Sequence, residues 1–259
     1  MEGLISTIQG YSLRDGPGIR STVFTMGCAL RCQYCSNPEL LEMKIRTMEL
    51  NNTSTRVGKW ISSEELAKKL FKDKIFYTES KGGVTFSGGE CLLQSDFVYE
   101  TAKLLKEEDI SIAIDTSLYV PRQNIEKVLP VVDLFLVDIK AIDDTLHQKV
   151  TSQSNRLILE NLMWLKTQPV ELWIRLVLVG NLNDDLEDVK KRFNFIQELG
   201  QSVTRVDVLC YHNLGLSKYK GLNMTCSLSN DAFITKEYLH KLKTLIARYD
   251  FDIRIEGEE

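Results

Sequence analysis

Short apolar runs separated by longer amphipathic stretches set the rhythm of this chain. Residues 21–26 (Ser-Thr-Val-Phe-Thr-Met), 83–86, 110–114 (Ile-Ser-Ile-Ala-Ile), 134–139 (Leu-Phe-Leu-Val-Asp-Ile), 172–179 and 205–209 are rich in β-branched and aliphatic residues and of strand length. Apolar positions at helical spacing fill the gaps. One helix opens at Ser62, with Ser62 and Glu65 at capping-box spacing ahead of Leu66, Leu70 and Phe71. Further helices are predicted over 94–108, 122–130, 155–167, 184–198 and 235–248, and a last strand over 251–255. Strand–helix alternation repeated six times implies parallel strands with crossover helices. A doubly wound open sheet and a barrel-like sheet both fit that count. Residues 10–20 read as a turn-rich loop around Asp15-Gly16-Pro17-Gly18. Residues 38–60 are polar, contain no cysteine and show no clear period, so they read as a loop region. No linker, repeat or composition break divides the chain, and residues 1–259 are taken as one domain.

Composition narrows the function classes. With 43% hydrophobic and 26% charged residues the chain resembles an ordinary globular protein. A net charge of −4 without a basic run gives no electrostatic footprint for nucleic acid or an anionic membrane. The N-terminus lacks the basic region and apolar core of a signal peptide, and no apolar run approaches a membrane span. The expected location is the cytoplasm, where cysteines serve as metal ligands or thiols more often than as disulfides.

Three of the six cysteines stand as Cys28-x3-Cys32-x2-Cys35, directly after the strand at 21–26. Three thiolates hold three corners of a cubane iron–sulfur cluster and leave one iron open. The competing reading is a structural zinc knuckle. Zinc sites want four ligands, usually as two pairs, and no partner pair follows here. The cluster is therefore preferred. Carboxyl ends of parallel strands gather chemistry, and the other predicted strands lead to Ser87-Gly88-Gly89-Glu90, Asp115-Thr116, Asp138 with Lys140, Arg175 and His212. Ser87–Glu90 is either a plain turn or a loop whose glycines admit a ligand to the backbone, with Glu90 in support. Asp115 and Asp138 are either helix caps and structural ion pairs or an oxygen-rich cation site. Lys140 and Arg175 fit counter-charges for an anionic ligand, or surface side chains. His212 fits a structural or a functional role. Cys91, Cys210 and Cys226 read as ordinary buried thiols.

Taken together, these motifs resemble the radical S-adenosylmethionine (SAM) enzymes, and among them the activases of glycyl-radical enzymes. The cysteine triplet matches the superfamily cluster motif. Asp15-Gly16-Pro17-Gly18-Ile19-Arg20 matches a loop of the activases, and Gly88-Gly89-Glu90 matches the SAM-binding Gly-Gly-Glu motif. The likeness continues through Asp115-Thr116, Leu136-Val137-Asp138-Ile139-Lys140, Trp173-Ile174-Arg175 and Tyr211-His212. It implies a partial (β/α)6 barrel with one [4Fe–4S] cluster on Cys28, Cys32 and Cys35. It also implies SAM bound by Asn37, Gly88, Gly89, Glu90, Asp138, Lys140, Arg175 and His212. A monovalent cation (Na+ or K+) would sit on Asp115, Thr116, the Leu136 carbonyl and Asp138. Asp15, Gly16, Pro17 and Gly18 would meet the glycine-bearing peptide of the partner.

In that family, reductive SAM cleavage yields a 5′-deoxyadenosyl radical that takes a hydrogen atom from a backbone glycine. The resemblance implies a glycyl-radical enzyme of the pyruvate formate-lyase kind as protein substrate. It also implies flavodoxin or ferredoxin as electron donor and a monomeric chain. Many activases carry a cysteine-bearing, ferredoxin-like insert after the triplet, and residues 38–60 hold no cysteine. Ser36 stands where a histidine is frequent, and Leu136 where a methionine is common. An activase of a different glycyl-radical enzyme, a radical SAM enzyme acting on a small molecule and a non-catalytic zinc protein are the alternatives.

Overall fold

A computed structural model describes residues 1–50, 53–228 and 232–256. In chain order these residues form β1 (Glu2–Ser12), β2 (Arg20–Thr25), β3 (Arg46–Leu50), β4 (Thr53–Val57), β5 (Lys59–Ser62), α1 (Ser63–Leu70) and α2 (Lys74–Ser80). There follow β6 (Gly83–Gly88), α3 (Ser95–Lys106), β7 (Ser111–Thr116), α4 (Arg122–Val128), β8 (Leu134–Asp138), α5 (Asp144–Thr151) and α6 (Arg156–Leu165). Then come β9 (Glu171–Leu178), α7 (Leu186–Leu199), β10 (Val203–Cys210), α8 (Leu216–Gly221), α9 (Lys236–Ile246) and β11 (Ile253–Glu256). The fold is α/β, and the six predicted strands are β2, β6, β7, β8, β9 and β10. No helix among the described residues is long and apolar enough to cross a membrane.

The contacts define two compact units, and the division falls inside β8. The first unit comprises Met1–Ala29 and Asn37–Leu136. Its strand order is β5–β1–β2–β6–β7, ending on the first residues of β8. β2, β6 and β7 run parallel, while β1 is antiparallel to both β2 and β5. Val23, Val84, Phe86, Ile112 and Ile114 are fully buried along these strands. The Ser62 hydroxyl caps α1 by accepting the Glu65 N–H at 3.1 Å, as the spacing predicted. The second unit comprises Leu30–Ser36 and Val137–Glu259. There β9, β10 and β11 are parallel, and Leu172, Ile174, Leu176, Val206 and Val208 form the buried faces.

Several elements depart from the pattern read in the sequence. β1 was not predicted, and it runs through Ser12, which shortens the loop at 10–20 to residues 13–19. Its outer half is polar and exposed and is held by its ladder with β2, while β5 pairs only with its first residues, Glu2–Ile5. The stretch read as a loop over 38–60 instead carries the β3–β4 hairpin and β5, with Asn51 and Asn52 outside the described residues. Among the described residues β3 and β4 pair only with each other, and Met48 and Val57 are the buried residues of that hairpin. The short helices α2, α5 and α8 were also missed. α2 buries only Tyr77, so it shows no stripe.

Candidate active site

In the first unit, the parallel arrangement of β2, β6 and β7 brings three predicted segments to one edge. Gly89 N–H donates to the Thr25 carbonyl (3.0 Å) and Glu90 N–H to the Gly27 carbonyl (2.8 Å). The Gly-Gly-Glu loop is thereby laced to the start of the cysteine segment. Two glycines are obligatory there. Gly88 has φ +126°, and a Cβ would stand 2.2 Å from the Thr25 carbonyl oxygen. A Cβ on Gly89 would stand 2.3 Å from the Gly27 oxygen. Cys28, half-buried, is placed by its own N–H donating to the Leu41 carbonyl at 3.2 Å. Asn37 lies at the entry of the helical turn Pro38–Leu40, where its carbonyl accepts the Leu40 N–H.

Glu90 is 1% exposed, and its carboxylate is consumed by its own chain. Oε1 accepts from Thr116 Oγ1 (2.7 Å) and Leu92 N–H (3.2 Å). Oε2 accepts from Ser117 N–H (2.9 Å) and Ser117 Oγ (2.6 Å). Burial raises its pKa, and these donors oppose the rise. Glu90 thus ties the end of β6 to the end of β7. Ser117 supplies half of that tie, and no sequence signal pointed to it. Asp115 accepts from Ser87 Oγ at 2.6 Å, which adds a second link between the same strands. Thr116 donates to Glu90 and accepts the Leu118 N–H at 2.9 Å, which leaves its oxygen one further lone pair. Leu136 is fully buried in β8.

At the opposite end of β2, the Asp15-Gly16-Pro17-Gly18 loop is braced from beneath. Asp15 Oδ2 accepts from the hydroxyls of Ser12 and Thr22 (2.6 Å to Thr22). Arg20 is fully buried and spans three strands. Its guanidinium donates to Thr85 Oγ1 (2.7 Å) and to the carbonyls of Val84 (2.7 Å), Ser111 (3.0 Å) and Pro17 (3.3 Å). Burial lowers its pKa to about 10. Gly18, at φ +69°, packs against the backbone of Ser80 and Gly82.

In the second unit, Asp138 accepts from Lys140 Nζ (3.0 Å) and Arg175 Nε (3.1 Å). Burial opposes ionisation of Asp138, but the two cations outweigh it and hold its carboxyl below the ordinary value. Lys140 is only 7% exposed, so it is no surface side chain. Its pKa is raised: burial would lower it, but Asp138 prevails. Asn183 Nδ2 holds the Lys140 carbonyl at 3.3 Å, and the Arg192–Asp188 pair backs Asn183. The Lys140 ammonium stands 5.6 Å from the ring centre of Tyr34, which is buried between Cys32 and Cys35 in sequence. Burial raises the pKa of Cys32, and Lys140 moderates the rise. Cys35 and the exposed His212 line one small cavity. Of the remaining cysteines Cys91 is buried as expected, while Cys210 and Cys226 are only half-buried.

The donor set suits the groups implied. Among the described residues no three His, Cys, Asp or Glu side chains gather as around one metal ion. A cubane cluster instead places each thiolate on a different iron. Gly88 and Gly89 bring the backbone of their loop so close to Thr25 and Gly27 that no side chain fits there. Asp138, Lys140 and Arg175 supply both charges for a zwitterionic ligand.

Residues 22–193 match the model of the Radical SAM superfamily, and the chain belongs to that family. It is 40% identical over 241 residues to the pyruvate formate-lyase-activating enzyme of Clostridium pasteurianum, covering 93% of this chain and 95% of the relative. It is 34% identical over 304 residues to the trans-4-hydroxy-L-proline dehydratase activating enzyme of Clostridioides difficile, covering 99% of this chain and 100% of the relative. A crystallised domain of a pyruvate-formate lyase-activating enzyme from Bacteroides vulgatus superposes with TM-score 0.56 at 27% identity, over 68% of this chain and 99% of that one. Within the superfamily the chain is a glycyl-radical-enzyme activase, an oxidoreductase-type enzyme. Membership implies a [4Fe–4S] cluster and SAM as cofactors.

Proposed function

We propose that the chain activates pyruvate formate-lyase, or a glycyl-radical enzyme closely akin to it, in the cytoplasm. One observation carries this reading. The pairing with the pyruvate formate-lyase-activating enzyme covers 93% of this 259-residue chain in 241 aligned positions, so it runs almost without gaps. The pairing with the hydroxyproline dehydratase activase needs 304 positions and must skip segments this chain lacks. The cysteine-free stretch at 38–60 accords with a single cluster and a single radical SAM domain.

Cys28, Cys32 and Cys35 would hold the cluster. Gly88 and Gly89 would present backbone to the SAM amino group, with Glu90 fixing their loop. Asp138, Lys140, Arg175 and His212 would orient the rest of SAM, and Asn37 would stand beside the cluster. Asp115, Thr116, the Leu136 carbonyl and Asp138 would take a monovalent cation, Thr116 through its remaining lone pair. When bound, the cluster and SAM would supply the one-electron chemistry by which a hydrogen atom is removed from the partner's glycine. The Asp15–Gly18 loop would position that glycine, held rigid by Arg20. Flavodoxin or ferredoxin would deliver the electron to a monomeric chain.

The test is anaerobic incubation of the reconstituted protein with SAM, reductant and purified glycyl-radical enzymes. Electron paramagnetic resonance should show a glycyl radical with pyruvate formate-lyase. A radical formed only on a different partner would overturn the assignment. Cys32→Ala should abolish 5′-deoxyadenosine formation, and retained turnover in that variant would refute the ligand role.

A further inference from the structure

We propose that Cys226 is the disulfide partner of Cys35 in the cluster-free chain. This rests on the reading of Cys35 as a cluster ligand, which leaves its thiol exposed to oxidation once the cluster is absent. Both residues belong to the second unit, both are half-buried, and neither is in a disulfide in the structure. They line the same cavity, whose volume of about 10 Å³ holds roughly one water molecule.

The segment that carries Cys226 is fastened to the cysteine loop on either side of it. Upstream, a Cβ on Gly215 would stand 3.0 Å from Ser36 Cα and 3.3 Å from the Cys35 carbonyl oxygen, so this backbone lies directly on the loop. Downstream, Ser227 Oγ donates to Gln33 Oε1 at 3.4 Å. Leu228 and Cys32 pack against the same small core around Tyr34. Cys226 is therefore pinned near Cys35 by the chain before and after it. The two residues share one small cavity, across which the bond would form.

Dioxygen is the oxidant. The two S–H bonds break, one S–S bond forms, and the two protons and two electrons convert dioxygen to hydrogen peroxide. Cys35 is thereby parked in a form that a thiol reductant restores. Without a partner it would continue to sulfinic acid, which such reductants do not reverse. The fold thus carries a protective modification site beside one cluster ligand.

The test uses the full chain, stripped of metal anaerobically and then placed in air-saturated buffer. Remaining thiols are alkylated, and the chain is cut with trypsin and chymotrypsin. Cleavage after Arg31 and Tyr34 puts Cys28, Cys32 and Cys35 on separate peptides. Mass spectrometry should find Cys35 joined to Cys226 as the main cross-link, lost on treatment with dithiothreitol. C226S should accumulate sulfinic acid at Cys35 several-fold above the parent while still taking up iron when reconstituted without oxygen. Complete alkylation of Cys226 with Cys35 joined to Cys28 or Cys32 would overturn the proposal, as would equal sulfinic yields in both proteins. Iron content separates the two readings. A chain that binds about four irons yet forms no Cys35–Cys226 bond refutes this inference alone, whereas one that binds no iron refutes the cluster.

Discussion

Glu90→Gln isolates what the buried carboxylate does. The side chain accepts four hydrogen bonds, two of them from the backbone N–H groups of Leu92 and Ser117. A glutamine keeps one oxygen and turns an NH2 toward the other donor pair. Hydroxyls of Thr116 or Ser117 can rotate to accept from it, but a backbone N–H cannot. One buried N–H is left unsatisfied whichever way the amide is set, at a cost of about 1–3 kcal/mol. Removal of a buried charge offsets part of this, so the expected loss at neutral pH is about 1–2 kcal/mol. Glu90→Ala strands both N–H groups and leaves a cavity, and should cost about 3–5 kcal/mol. Urea unfolding of the cluster-free chain measures both. The pH dependence adds a signed check. With its folded pKa raised above the ordinary 4.5, Glu90 favours folding most at low pH. That contribution declines as pH climbs from 4.5 through the folded value. Glutamine does not titrate, so the gap between parent and Glu90→Gln should narrow as pH rises over this window. Equal stability of all three proteins, or a gap that widens with pH, would refute the tie between β6 and β7.

Three further outcomes follow from the same geometry. Gly89→Ala drives a methyl into the Gly27 carbonyl, a backbone atom that cannot swing aside, and should cost about 1–3 kcal/mol in urea unfolding. Asp138→Asn leaves Lys140 and Arg175 buried without their carboxylate and should cost about 3–5 kcal/mol. Because the Asp138 pKa is depressed, its contribution is complete above the ordinary 3.8 and is lost as pH falls through the folded value. The difference between the proteins should therefore be flat near neutrality and shrink only below pH 3.8, and a shrinkage above it would contradict the ion pair. Arg20→Lys retains charge but cannot reach Thr85, Val84, Ser111 and Pro17 with one ammonium, so thermal unfolding should show a loss of about 2–4 kcal/mol. A Tm equal to the parent's would show that the brace under the Asp15 loop is dispensable.

Much of this protein was legible in its residues, for identifiable reasons. The six buried strands announce themselves because β2, β6, β7, β8, β9 and β10 carry contiguous apolar faces that need no partner to be recognised. The capping of α1 by Ser62 is a local hydrogen bond between residues three apart, so its spacing suffices. β1 and the β3–β4 hairpin lack such self-evident faces. β1 exists because β5 pairs with its first residues and β2 with the rest, a fact about distant segments.

The same division runs through the candidate site. The sequence by itself determined the chemistry: a thiol triplet at cluster spacing, paired glycines before a glutamate, and an acid two residues from a lysine. Side-chain type and short-range spacing are local properties, written directly in the chain. Only the tertiary structure decided what each group is occupied with. It put the Glu90 carboxylate under Thr116 and Ser117, spent Asp138 on Lys140 and Arg175, and sank Arg20 beneath the turn-rich loop at Asp15–Gly18. It also brought Cys226 to the cavity of Cys35 across a separation of nearly two hundred residues. Those pairings depend on which strands lie side by side, and chain distance carries no record of that.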